Sequence, residues 1–139
     1  MKSPKSFTLV ELIFILVIIS SIMAVSLNGL IKYKNTIEYS NSVAQVISDV
    51  KLTQQMADAS HDICRIEFKA GRNEYRILKN SKVIKQLKTG QKIQFCGKSY
   101  FSFVTSGYTE VGGSGTLFLG GSPKVSKIVV SSKGRIRIE

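Results

Sequence analysis

From Leu12 to Ile31 the chain runs without a charged residue, and at about 1.5 Å per residue such a stretch crosses a hydrocarbon layer of roughly 30 Å as one helix. The remaining residues, 32–139, have the length of one small domain, which leaves no room for a two-domain enzyme of the doubly wound or barrel kind. Lys2 and Lys5 precede the apolar run. By the positive-inside rule they keep this end cytoplasmic and send the following domain outward. A secretory signal peptide cut near Ala24-Val25-Ser26 is the competing reading. Glu11 argues against it, because a carboxylate heading an apolar run costs about 2.5–3.5 kcal/mol near the bilayer centre, less at an interface, and calls for a partner.

The domain after the run holds 18 basic against 8 acidic side chains, ten positive charges in excess. Such an excess favours anionic partners, nucleic acid or lipid heads, and says nothing about fold. Cys64 and Cys96 lie 32 positions apart with a single His in the chain, His61, too few ligands for a zinc site. Two readings stay open for the pair: a disulfide between strands, if the domain sits outside the cytoplasm, or two unpaired core thiols. His61 lies three residues before Cys64, but a nucleophilic pair needs a third orienting group and a pocket, so it reads as a surface or capping residue. With no paired carboxylates, metal cluster or nucleophile with its base, the sequence predicts no enzyme and no cofactor.

Between Lys32 and about Ser60 there is no Pro or Gly, and Tyr33, Ile37, Val43, Ala44, Val46, Ile47, Val50 and Ala57 recur at helical spacings. This predicts an amphipathic helix continuous with the membrane helix, ended by Asp58, His61 and Asp62. After Ile63 the period becomes two: Cys64–Lys69, Tyr75–Leu78 and Val83–Leu87, with turns at Ala70–Asn73 and Asn80-Ser81, read as a three-stranded meander. Further short strands are predicted at Lys92–Cys96 and Tyr100–Val104. Gly112 to Gly121 reads as turns around a strand, since a phosphate loop needs a following Lys and a helix.

Lys127 to Glu139 reads as a hairpin turning at Gly134. Alternation points Ile136 and Ile138 one way and Arg135 and Arg137 the other, about 6.6 Å apart at two strand rises. Two parallel guanidiniums each fork onto a phosphate, which Lys does not reproduce. Lys124, Lys127 and Lys133 widen the patch. Few aromatics lie near it in sequence, so binding is predicted to be backbone-directed and without base preference. The competing use of the arginines is to keep an edge strand from aggregating.

Ser6-Phe7-Thr8-Leu9-Val10-Glu11-Leu12 resembles the cleavage and assembly motif of type IV prepilins and type II secretion pseudopilins. The resemblance implies a prepilin peptidase cutting between Ser6 and Phe7, N-methylation of Phe7, a leader of residues 1–6, a transmembrane and assembly helix over 7–31, and a globular domain over 32–139. The last would lie outside the cytoplasm, on a single pass through the inner membrane, until incorporated into a pilus or pseudopilus among other major and minor pilins. Glu11 would neutralise the Phe7 ammonium of an adjacent subunit, where low dielectric makes either charge costly alone. Two departures stand out. Ser6 replaces the usual Gly, which predicts slow processing or a permissive peptidase. Asn28-Gly29 stands in for a helix-kinking Pro, which points to a minor pilin or pseudopilin.

The tail is similar to the GspH/FimT family, the H-type minor pseudopilins and FimT-type minor pilins, through Phe103-x3-Gly107, Gly115-Thr116-Leu117, Ile128-x-Val130 and Gly134-Arg135-Ile136-Arg137. In the FimT branch a Gly-Arg-x-Arg element is associated with DNA binding in natural transformation. That implies contact with double-stranded DNA, independent of sequence, at Gly134, Arg135 and Arg137, widened by Lys133, Lys127 and Lys124. Residues 63–98 carry no resemblance. The expected architecture is α+β and pilin-like: a long N-terminal helix, its first half membrane-embedded, packed on an antiparallel β-sheet of about six to eight short strands. Two functions compete, a minor pilin capturing DNA for uptake and a structural H-type pseudopilin that aids filament initiation in type II secretion. The charge favours the first.

Overall fold

The computed structural model describes residues 8–90, 93–121 and 124–139, the side chains of residues 25–28 excepted. Ser6 and Phe7 therefore lie outside the described residues. The chain divides into two compact units, one ending at Ile37 and the other running from Glu38 to Glu139. Helix α1 (Leu9–Ser60) contributes to both.

In the first unit α1 is apolar and exposed, and long enough to cross a membrane. Thr8 starts it: its hydroxyl accepts a hydrogen bond from the Glu11 N–H at 3.3 Å, and its carbonyl accepts from Glu11 and Leu12. Thr8-x-x-Glu11 thus supplies half of a capping box, with the Glu11 carboxylate in the first turn, where the helix dipole favours an anion. The hydroxyls of Ser20 and Ser21 donate back to the carbonyls of Leu16 and Val17. The polar groups of these two serines are satisfied within the helix, as an apolar environment requires. No break occurs at Asn28-Gly29.

In the second unit eight strands follow: β1 (Cys64–Phe68), β2 (Glu74–Lys79), β3 (Lys82–Lys88), β4 (Gln94–Gly97), β5 (Tyr100–Phe103), β6 (Gly115–Gly120), β7 (Val125–Val130) and β8 (Ile136–Ile138). The meander forms as expected, β2 and β3 joined through Asn80 and Ser81, both at positive φ. Such a two-residue turn follows the right-handed strand twist. The strands make two four-stranded antiparallel sheets, ordered β3-β2-β1-β5 and β4-β6-β7-β8, where a single sheet was expected. The split arises because β1 takes β5 as its second partner and β4 pairs with β6.

One core lies between the sheets and the helix. Val43, Val46, Val50 and Ala57 of α1 meet Ile66, Tyr75, Ile77, Phe101 and Phe103 of the first sheet and Phe95, Leu117, Leu119, Ile128 and Val130 of the second. The helical face is shifted from the apolar reading: Ala44, Tyr33 and Ile37 are exposed, while Ser42, Asp49 and Thr53 are buried. The buried polar atoms are paired. Ser42 and Thr53 donate to the carbonyls one turn back, and the Tyr75 hydroxyl donates to the Asp49 carboxylate.

Cys64 and Cys96 are both free. Cys64 is buried in the first sheet between Lys79 and Phe103, whereas Cys96 is exposed on β4 of the second. The bridge is thus not formed, and only one of the two thiols belongs to the core.

Candidate functional site

The β7–β8 hairpin is fixed from within and from behind. Gly134, at φ +73, donates to the Ser131 carbonyl at 2.9 Å, and Ser131 donates to the Arg135 carbonyl at 3.0 Å. A Cβ on Gly134 would overlap the Gly107 carbonyl oxygen, so only glycine lets the two turns touch. From α1, the Gln54 amide donates to both Gly107 and Gly134 carbonyls, at 2.8 and 2.9 Å. At the other end of β7, the Tyr39 hydroxyl donates to the Leu119 carbonyl and meets the Ser126 hydroxyl, each at 3.0 Å. Tyr39 and Gln54 are fifteen residues apart in the sequence, about 22 Å of helix, which matches the roughly 20 Å of a six-residue strand. The helix therefore holds β7 at both ends.

The register sets the faces. Ile136 and Ile138 stand opposite Val130 and Ile128, which are buried, and Arg137 stands opposite Val129 on the outer face. Arg135 falls one residue before β8, in the turn, so the two-rise spacing does not apply to the pair. Arg135, Arg137 and Lys133 are exposed, and none makes an ion pair among the described residues. Lys127, also on the outer face, is held by Glu139 at 2.6 Å, a contact that lowers the Glu139 pKa, with the Arg137 charge adding to it. Lys124 is exposed at the far end of β7, about 20 Å along the strand from the turn. The hairpin thus gathers Lys133, Arg135 and Arg137, leaves Lys127 half-neutralised, and sets Lys124 apart.

Ion pairing is distributed unevenly between the sheets. The outer face of the first is a mesh of pairs, Arg76 with Glu67, Lys69 and Lys88 with Glu74, and Arg65 with Glu110. Residues 111–138, by contrast, carry five basic side chains and no acidic one, with Glu139 the next carboxylate along the chain. Sequence reasoning missed Gln54, which fixes the hairpin from the helix, and the outward exposure of Phe118 on β6. Both rest on long-range register, which no local pattern reports.

The other expected sites are dispersed. Glu11 is exposed in the first turn of α1. His61 is exposed at the helix end with φ +55, and Cys64 is buried with its pKa raised by desolvation. Among the described residues no group of His, Cys, Asp and Glu is placed to hold a metal ion.

No protein-family profile matches the chain, and no curated protein sequence matches it. Solved structures do. The crystal structure of the type IV minor pilin FimU of Pseudomonas aeruginosa in space group P21 superposes with a TM-score of 0.61 at 13% identity, covering 73% of this chain and 88% of FimU. Its P65 crystal form gives 0.59 at 12% identity, covering 72% and 91%. The chain therefore has the fold of a type IV minor pilin, a long N-terminal helix packed on antiparallel sheets.

Proposed function

We propose that this chain is a minor pilin of a type IV pilus-like filament, anchored in the inner membrane by the first half of α1 until assembly, and that it binds DNA through the β7–β8 hairpin for uptake in natural transformation. The pilin fold and the apolar helix support the filament role. In the filament Glu11 pairs with the Phe7 amine of a neighbouring subunit after the peptidase has cut behind Ser6. A charge so placed gains its partner only on assembly, which sets axial register.

The observation that carries the DNA reading is a cluster of cations on one hairpin: Lys133, Arg135 and Arg137 are exposed there, and none of them makes an ion pair among the described residues. Phosphate neutralisation by such groups drives sequence-independent binding with steep salt dependence. The test is a mobility-shift titration of the full chain in detergent with unrelated duplexes at two salt concentrations, beside Arg135→Ala/Arg137→Ala. Micromolar or tighter binding that weakens with salt and collapses in the variant supports the reading. Binding that the variant keeps removes the two arginines as the site, and no binding at low salt leaves the structural H-type pseudopilin in its place.

A further inference from the structure

Strand β6 lies inside the second sheet, between β4 and β7, and its Phe118 stands on the outer face, 39% exposed. Opposite it in the register are Cys96 on one side and Lys127 on the other; the next row toward the hairpin turn runs Thr116, Val129, Arg137. Directly opposed residues bring their Cβ atoms to about 4.5–5.5 Å. Arg137 lies about 12 Å from Phe118, two interstrand spacings across and two strand rises along, a span that one nucleotide and an extended arginine bridge.

Gly97 adds a second observation. It has φ +94, and a Cβ there would come within 3.1 Å of the Phe118 ring. The Thr116 carbonyl oxygen would be closer still, at 2.8 Å, so the bare Gly97 leaves one edge of the ring uncrowded on the β4 side while the residue remains partly open to solvent. An aromatic ring so placed in an interior strand, with Lys127 opposite it and Arg137 one row on, has the chemistry of a base-stacking platform. Bases inside a duplex are stacked on each other and do not reach such a ring; an unpaired strand lays a base on it without opening anything.

We propose that Phe118 stacks a base of single-stranded DNA whose phosphates are held by Arg137 and Arg135, so that the site prefers an unpaired strand to a duplex. This rests on the DNA-binding reading above and narrows its ligand. Stacking is tolerant of sequence, since every base presents a π face.

The test is fluorescence anisotropy of the full chain in detergent at low salt, with a labelled oligomer of about 16 thymidines, the upper end of a single-fold footprint, against a mixed-sequence duplex of the same length. Phe118→Leu keeps apolar cover and removes the ring; Phe118→Tyr keeps the ring. Expected are tighter binding of the single strand by the unaltered chain, a loss of about 5- to 150-fold for that strand in Phe118→Leu, unchanged duplex affinity, and recovery in Phe118→Tyr. Unchanged single-strand affinity in Phe118→Leu, an equal loss for both ligands, or failure of Phe118→Tyr to recover overturns the stacking site. If Arg135→Ala/Arg137→Ala still loses binding in those cases, the DNA reading stands without it. An unaltered chain that binds neither ligand overturns both.

Discussion

Gly134 and Gly107 touch: a Cβ on Gly134 would overlap the Gly107 carbonyl oxygen, and both residues have positive φ. Two turns distant in sequence are pressed together, and Gln54 bridges their carbonyls from the helix. The glycine of the Gly134-Arg135-Ile136-Arg137 element thus serves packing, and the arginines are presented by a turn held against its neighbour and the helix.

Gly134→Ala is expected to destabilise the fold by roughly 1–3 kcal/mol from backbone strain alone, with the clash added. Gln54→Ala is expected to cost about 1–3 kcal/mol by leaving two carbonyls without their donor. Thermal unfolding of both variants measures this. A Gly134→Ala chain as stable as the unaltered one would show that the two turns are not in contact.

Carboxylate removal at the second sheet is expected to act in the opposite direction. Glu139→Gln frees Lys127 from its 2.6 Å partner and should tighten DNA binding, while Lys124→Ala, at the far end of β7, should leave it nearly unchanged. In Arg135→Ala/Arg137→Ala, the slope of log affinity against log salt should shrink by about 0.9 for every phosphate that is no longer neutralised on duplex DNA. Titrations at several salt concentrations separate the three, and weaker binding by Glu139→Gln would contradict the placement of the site.

The helix and the meander were legible because each buries one face and so writes its period into the chain. The division into two sheets was not. Alternation in Gln94–Gly97 tells which residues face the core, but not that β4 chooses β6 as neighbour. For the same reason the outward aim of Arg137 could be read from Ile136 and Ile138, whereas Phe118 beside Lys127 could not. Ser42, Asp49 and Thr53 escaped the apolar pattern because hydrogen bonds, rather than hydrophobicity, permit their burial.

Stability should fall at both ends of the pH scale for different reasons. Burial first, then the hydrogen bond to Asp49 and its negative charge, raise the Tyr75 hydroxyl far above its ordinary value near 10. A raised folded value means that its contribution is complete below the unfolded value and is lost as pH climbs toward the folded one. Glu74, lowered by hydrogen bonds from Lys88 and Lys69, Asp62, lowered by Asn80 and Lys79, and Glu139, lowered by Lys127, run the other way. Their contributions are present above the ordinary carboxylate range and lost as pH drops through their depressed values; Glu139 being exposed and Asp62 and Glu74 partly so, they should weaken with salt. Tyr75→Phe should abolish the alkaline limb and cost about 1–3 kcal/mol at neutral pH by removing the donor to a buried carboxylate. Unfolding curves across pH check both, and an alkaline limb that survives in Tyr75→Phe would assign it to another group.

The two thiols should differ in reactivity because they occupy opposite kinds of site. Cys96 is exposed on the outer face of the second sheet; Cys64 is fully buried, and desolvation raises its pKa, which further depletes the reactive thiolate. A maleimide applied to the folded chain without reductant should add one label, at Cys96, and a second only on unfolding. Intact mass and then peptide mapping read the result. No label even after unfolding without reductant would mean a Cys64–Cys96 bridge, and with it a different relation between the two sheets, since Cys64 points into the core and Cys96 away from it.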